Sequence, residues 1–344
     1  MLEIKSHRGK YTFEFIDFDN ISPEEFEGSF LVIDSKVDAL YPEVRDSFGE
    51  GRVFSVRASE INKTLAYCEK LIKFLLAAGI KKNSSLVAVG GGVVQDITSF
   101  VASILYRGVE WKFIPTTLLA QADSCIGSKT SINYGDTKNV LGSFYPPKKV
   151  WCDINFLTTV LQDDIRSGIG EILHYYLIDN SEKLHDLIEL KFPFSRHDLK
   201  PHILESLSIK KEMIERDEFD KQARRVFNYG HTFGHAIEVL SDYEVKHGSA
   251  VTMGMHIANY VSKESKCLSV GNYNSLQDSI RFNLPSYKIK DVDKYISILL
   301  RDKKNTKDSI VCILPFALGE MKVVHFDDID ALKGILRKYV ATHA

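Results

Sequence analysis

Leu86-Val-Ala-Val-Gly90-Gly91-Gly92-Val-Val-Gln95-Asp96 reads as a short buried strand running into a glycine turn, with an apolar segment of helical spacing, Ile97 to Tyr106, behind it. Such a turn lets the backbone approach a pyrophosphate at a helix N-terminus. Gln95 stands in place of the third glycine of a G-x-G-x-x-G loop, so a plain tight turn fits these residues too. Phe30–Asp34, Val53–Val56 and Trp111–Ile114 are further apolar runs, and Ile61 to Ala78 is amphipathic with helical period. Alternation of this kind predicts a parallel α/β sheet with ligands at the strand ends. The expected organisation is an α/β, Rossmann-like nucleotide-binding domain over 1–155 and a mainly α-helical domain over 156–344. In the second part, Arg166–Ile178, Leu199–Glu215, Thr232–Leu240, Ala250–Ser262 and Val292–Leu300 have helical patterns, and Ser309–Leu314 with Met321–Val324 suits a β-hairpin.

Asn228-Tyr-Gly-His231-Thr-Phe-Gly-His235 carries two histidines on one helical face, and His247-Gly-Ser-Ala250 follows closely. Converging imidazoles bind divalent transition metals, often with a carboxylate completing the set. A bare His-x-x-x-His pair also occurs on solvated helix faces; the third histidine and the small residues around it favour a metal.

Ile114-Pro-Thr116-Thr117-Leu-Leu-Ala-Gln-Ala-Asp123-Ser-Cys-Ile-Gly-Ser-Lys129-Thr-Ser-Ile-Asn133, continued by Thr137-Lys138-Asn139-Val-Leu-Gly142, mixes hydroxyls, lysines, amides and glycines with apolar residues. That mixture suits a phosphate and polyol pocket: lysines supply point charge, and asparagines both donate and accept.

The 344 residues suit two domains, and the net charge of -2 with 26% charged residues implies neither nucleic acid nor an anionic membrane as partner. No apolar run approaches the roughly 20 residues that span a bilayer. The first residues lack a signal peptide's apolar core. The five cysteines are dispersed without C-x-x-C, which fits reduced thiols in a cytoplasm.

Taken in order, the G-G-G-V-x-x-D turn at Gly90, the P-T-T-L-L-A-Q-x-D-S run at Pro115, the K-N pair at Lys138, the S-G-x-x-E segment at Ser167 and the N-x-G-H-T-F-G-H-A-I-E segment at Asn228 resemble the 3-dehydroquinate synthase family, within the sugar-phosphate cyclases. The similarity runs from about Asp34 to Lys304, nearly the whole chain. The resemblance implies metal ligands Glu171, His231 and His247, with zinc or cobalt as the ion, and moves His235 from the metal to the substrate. It implies NAD, with Gly91, Gly92, Thr116 and Thr117 around the pyrophosphate, Asp34 on the adenosine ribose, and Asp96 at the nicotinamide end. Glu60, Lys63, Lys138, Phe156 and Thr159 match further cofactor positions. Asp123, Lys129, Asn139, Lys210, Arg224, Asn228 and His235 match substrate contacts, Arg224 reading a carboxylate. Arg107 matches an arginine contributed across a homodimer interface, and Lys303 or Lys304 a phosphate contact.

The implied reaction turns 3-deoxy-D-arabino-heptulosonate 7-phosphate into 3-dehydroquinate and phosphate. It proceeds by transient oxidation at C5, phosphate elimination, re-reduction and intramolecular aldol closure. One departure bears on the substrate: His174 stands where the family has lysine, three residues after Glu171 and so beside it on a helix. A cyclase for a related substrate, such as an amino analogue or another sugar phosphate, is one alternative. A metal- and NAD-dependent alcohol dehydrogenase is the other, and a non-catalytic binding module fits the metal triad poorly.

Overall fold

The computed structural model describes residues 1–135, 137–300 and 309–343. These form two compact units, Met1–Val160 with Lys210–Phe219, and Leu161–Ile209 with Asp220 onward.

The first unit contains strands β1 (Leu2–Ser6), β2 (Gly9–Phe15), β3 (Ser29–Asp34), β4 (Val53–Val56), β5 (Ser85–Gly90), β6 (Glu110–Pro115), β7 (Lys129–Tyr134), β8 (Thr137–Phe144) and β9 (Lys149–Cys152). Its helices are α1 (Ser35–Leu40), α2 (Pro42–Asp46), α3 (Leu65–Ala77) and α4 (Gly92–Ile104). Seven strands make one sheet in the order β1-β2-β9-β6-β5-β3-β4, parallel apart from the β1/β2 hairpin. Central strands β3 and β5 read as continuous apolar runs because both sheet faces are covered; Leu31, Val32, Ile33, Val87 and Val89 are wholly buried.

From β3 the chain steps outward to β4, then returns to place β5 on the other side of β3. The C-terminal ends of β3 and β5 therefore flank a topological switch point, where open α/β sheets take their ligands. Those ends are Asp34 and Gly90, close enough that a Cβ on Gly90 would lie 3.4 Å from Asp34 Cβ.

Several expectations shift in detail. The helix after the glycine turn starts at Gly92, not Ile97, because extended Gly91 is its cap and Gly92-Val-Val-Gln-Asp is already its first turn. The stretch from Ile61 to Ala78 is a 3₁₀ turn, Glu60–Asn62, and then α3, whose cap Thr64 accepts from Tyr67 N. Residues 129–144 form a separate β7/β8 hairpin. The expected junction at 155/156 falls inside a 3₁₀ helix, Ile154–Thr159, that stays with the first unit. Lys210–Phe219 joins that unit too: Lys5 N donates to Glu215 Oε1 (2.8 Å) and Ser6 Oγ to Glu218 Oε1 (2.7 Å).

The second unit holds α5 (Gln162–Asp179), α6 (Leu184–Ile188), most of α7 (Arg196–Arg216), α8 (His231–Leu240), α9 (His247–Glu264), α10 (Val270–Arg281), α11 (Val292–Leu299) and α12 (Ile329–His343). The expected hairpin is β10 (Ile310–Ala317) with β11 (Glu320–Phe326). No described helix is long and apolar enough to cross a membrane.

Helices α5, α8 and α9 cross backbone to backbone at glycines. A Cβ on Gly248 would lie 1.8 Å from Ser167 O, one on Gly170 2.0 Å from Gly248 O, and one on Gly254 1.9 Å from Gly230 O. Ser167 Oγ also accepts from Gly248 N at 3.0 Å. Gly248→Ala should therefore lower stability by about 1–3 kcal/mol through overpacking. Gly271→Ala in α10, where a Cβ meets nothing within 4 Å, should be neutral or stabilising. Denaturant unfolding of both variants checks this; equal stabilities would mean the crossing is not close-packed.

Candidate active site and metal centre

Each expected metal ligand sits next to one of these crossing glycines: Glu171 after Gly170, His231 after Gly230, His247 before Gly248. The close approach of the helices gathers the three side chains. Glu171 Oε1 lies 3.2 Å from His247 Nε2 and 3.6 Å from His231 Nε2. Glu171 is buried, and this oxygen accepts no hydrogen bond of good geometry. Its histidine neighbours present ring nitrogens toward a shared point, with all three ligand atoms within 4.8 Å of one another. A buried carboxylate oxygen with two imidazole nitrogens is a donor set for zinc or a similar divalent ion, and three protein ligands leave positions open for substrate. The residues therefore fit a catalytic ion.

The far side of each imidazole is also occupied. His231 Nδ1 donates to Tyr229 O (3.2 Å) and His247 Nδ1 to the Glu238 carboxylate (3.1 Å). Both bonds put the proton on Nδ1 and leave Nε2 as the ligand atom. Glu238 was invisible as a functional residue in the sequence, although it ends the His231–Glu238 segment; spacing of three from His235 was the available signal. His235, Glu238 and His247 form a second set of potential ligand atoms, sharing His247 with the first. Burial opposes charge on His247, but the Glu171 and Glu238 carboxylates hold its pKa well above the ordinary value. Burial holds His231 well below it, with the surrounding histidines adding to the effect.

His174 lies beside Glu171 as helical spacing requires, Nδ1 3.8 Å from Glu171 Oε2. Its ring is buried, edge-on to His231 at 4.9 Å and bordered by Tyr175, Phe227 and Tyr229. Arg224 and Asn228 are half-buried in the 3₁₀ turn Ala223–Asn228, where Asn228 Nδ2 donates to Arg225 O at 2.9 Å.

In the first unit, Thr116 N donates to Gly90 O at 3.0 Å, so the turns after β5 and β6 are joined. A Cβ on Gly91 would meet Thr117 Cγ2 at 3.1 Å, whereas one on Gly92 would point into open space. Gly91, Gly92, Thr116 and Thr117 thus line one place at the N-terminus of α4. Gln95, in the missing glycine's position, donates to Ser124 O and accepts from Ser124 Oγ, both at 2.6 Å. Asp34 caps α1 by accepting from Lys36 N (3.0 Å), and burial raises its pKa. Lys63 bonds Asp96 at 2.6 Å, with Glu60 at 3.9 Å. Lys210 Nζ donates to Asp123 O (2.7 Å) and Asp123 Oδ1 (2.8 Å). Lys129 and Asn139 are exposed on the β7/β8 hairpin and Lys138 is half-buried there. Phe156 is a core residue, its ring 4.9 Å from that of Tyr41, whose hydroxyl lies 3.1 Å from Thr159 Oγ1. Arg107 is exposed at φ 64, just after Tyr106 at φ 50. Lys303 and Lys304 lie outside the described residues.

A parallel α/β unit with a glycine turn at its switch point, followed by a helical unit that gathers a glutamate and two histidines, defines a class of enzymes built around a divalent ion. The 3-dehydroquinate synthase N-terminal family matches residues 53–167 and the 3-dehydroquinate synthase C-terminal family residues 168–305. The chain belongs to the 3-dehydroquinate synthase family. The 3-dehydroquinate synthase of Dictyoglomus thermophilum is 37% identical over 322 residues, 91% of this chain and 89% of that one. The fold is shared with 2-deoxy-scyllo-inosose synthase complexed with carbaglucose-6-phosphate, NAD+ and Co2+ (TM-score 0.88, 24% identity, 98% and 99% of the two chains). It is shared also with 2-epi-5-epi-valiolone synthase from Streptomyces hygroscopicus subsp. jinggangensis with NAD+ and Zn2+ bound (TM-score 0.82, 22% identity, 97% of each chain).

Two outcomes follow for the ion. With no metal bound, the raised pKa keeps a proton on His247 to higher pH than on a free imidazole, and the ion must displace it, so Zn2+ affinity should rise with pH until that raised pKa is passed. His231, already neutral there, should add no such dependence. Chelator competition at several pH values measures the slope; a flat profile would contradict the proton on His247. Glu238→Gln should weaken the ion about tenfold or more by removing the charge behind His247. Titration of the metal-free variant checks it, and unchanged affinity would show that Glu238 does not orient the ligand.

Proposed function

We propose that this chain is a metal- and NAD-dependent cyclase that converts 3-deoxy-D-arabino-heptulosonate 7-phosphate to 3-dehydroquinate and phosphate. The observation that carries the reading is the convergence of Glu171, His231 and His247 at one point, with both histidines held in the ligating tautomer. Curated relatives of that activity cover most of the chain and support the substrate. When bound, NAD supplies reversible hydride removal at C5 and the divalent ion supplies Lewis acidity at the substrate's hydroxyl and ketone oxygens.

The chain's own work is positioning and charge. Gly91, Gly92, Thr116 and Thr117 bind the pyrophosphate with backbone N–H groups and hydroxyls. Asp34 takes the adenosine ribose and favours a free 2′-hydroxyl, hence NAD over NADP. Lys63 with Glu60 and Asp96 orients the nicotinamide end. Arg224 reads the substrate carboxylate with its planar fork. Lys129, Asn139, Asn228 and the Lys210–Asp123 pair hold hydroxyl and phosphate groups, and His235 relays protons. The working form is a homodimer to which Arg107 contributes across the interface; two successive left-handed residues that present an exposed arginine support that role.

The deciding experiment supplies the heptulosonate phosphate to the metal- and NAD-loaded protein and follows phosphate release, cyclic product and net NADH. Stoichiometric phosphate and cyclic product without net NADH is the expected result. Net NADH without phosphate would indicate a dehydrogenase and sink the reading. His247→Ala should abolish turnover and metal retention together. Arg224→Ala should lose about 2–5 kcal/mol of binding to a carboxylate substrate and little to one lacking the carboxylate.

His174 favours a second reading, a cyclase for a related substrate, because it supplies less reach and no permanent charge where the family has lysine. His174→Lys separates the two. Lowered kcat/KM on the heptulosonate phosphate supports the first reading; a gain of about tenfold, ~1.4 kcal/mol, supports the second.

A further inference from the structure

Asn133 sits at the irregularity of the β7/β8 hairpin, where the pairing register shifts between Ile132 and Tyr134. It is buried, and both ends of its carboxamide are used. Nδ2 donates to Glu60 Oε1 (2.8 Å) and, more weakly, to Glu60 O (3.3 Å). Oδ1 accepts from Asn139 N at 2.9 Å. Its own N donates to Lys63 O at 2.8 Å. The chemistry of the partners fixes the amide's orientation, since a carboxylate needs the NH2 and an N–H needs the oxygen. Asn139 has φ 53, a left-handed conformation that asparagine tolerates better than other non-glycine residues, and two hydrogen bonds restrain it there. The bond to Asn133 is one such restraint, and the bond from Ser131 Oγ to Asn139 Oδ1 (2.9 Å) is another.

We propose that Asn133 is a positioning residue that couples nucleotide binding at Glu60 and Lys63 to substrate binding at Asn139. The inference rests on the function proposed above, which places Glu60 and Lys63 on the cofactor side and Asn139 on the substrate side. One rigid planar group touches both. A nucleotide that fixes Glu60 fixes the carboxamide, and with it the acceptor that holds the Asn139 backbone. Binding of either ligand then favours the other by the same factor.

The test measures dissociation constants on zinc-loaded protein for NAD and for a non-reactive phosphonate analogue of the heptulosonate phosphate. Each is measured alone and with the other saturating. The wild type should show mutual tightening of about 5-fold or more. Asn133→Asp sets a carboxylate against Glu60 and should bring the coupling factor to about one. Adding Glu60→Gln restores a donor–acceptor pair with the roles exchanged, while the introduced carboxylate still accepts from Asn139 N, so coupling should return. Coupling that survives in Asn133→Asp, or that the second change fails to restore, overturns the proposal. Wild-type protein that binds both ligands without coupling overturns it while leaving the proposed function standing; binding of neither overturns the function itself. A measurement without variants guards against misfolding: saturating NAD should slow hydrogen exchange at the Asn139 amide, and an unchanged rate counts against the proposal.

Discussion

Helices α5 and α9 meet backbone to backbone at Ser167, Gly170 and Gly248, with only small hydroxyl side chains at the contact. The remainder of the metal centre depends on this contact. A helix pair separated by ordinary side chains has its axes about 8–10 Å apart. Here glutamate and histidine, both short, converge because the backbones that carry them touch. The same device recurs where Gly254 of α9 lies against Gly230, one residue before His231. A cavity for an ion is therefore built from absent Cβ atoms, and the fold of the helical unit cannot relax at these positions without moving a ligand.

The first unit solves a different problem with different means. The strand–helix turn after β5 leaves backbone N–H groups open at the start of α4, and Gly91 and Gly92 provide the space. The polar side chains around it are then kept in place by one another. Lys63 bonds Asp96, Glu60 bonds Asn133, Asn133 bonds the Asn139 backbone, and Gln95 bonds Ser124 twice. A buried polar network is stabilising only when its members are satisfied, and this one links groups from four separate stretches of chain. Such a network specifies geometry more than it adds stability.

Some of this was legible in the sequence and some was not, for physical reasons. Central strands β3 and β5 could be read because they are continuous apolar runs between turn signals, and edge strand β4 and strand β6 because apolar residues outnumber Ser55 and Lys112 in them. Strands β1, β2 and β9 could not: Lys5, Lys10 and Lys149 break their apolar pattern, and pairing across the sheet decides their conformation. The β7/β8 hairpin was hidden by its own chemistry, since a stretch dense in lysines and amides reads as a pocket lining before it reads as strand. Motif order points to Glu171, His231 and His247, whose ligand atoms the fold does bring together, whereas spacing alone points first to the His231–His235 pair. Only the crossing of α5 with α9 brings Glu171, sixty residues upstream of His231, to the same point. In the sequence, Glu238 shows no role and Asn133 reads only as a pocket asparagine, because their contacts are to another side chain or backbone group, which spacing does not show.

The substitution at His174 gains physical meaning from its surroundings. Three aromatic side chains and the edge of His231 border the ring, and its Nδ1 reaches as far as the Glu171 carboxylate. A flat, compact imidazole suits walls of that kind. An ammonium on a four-carbon stem would carry a permanent charge past the ring's position, and buried beside aromatic faces it would need a partner to offset its lost hydration. Glu171, His231 and His247 present their ligand atoms to one point, with Tyr229 O and Glu238 behind the two histidines. Compared with lysine, histidine here has less reach and no permanent charge, and it lies beside Glu171 without entering the ligand cluster of Glu171, His231 and His247.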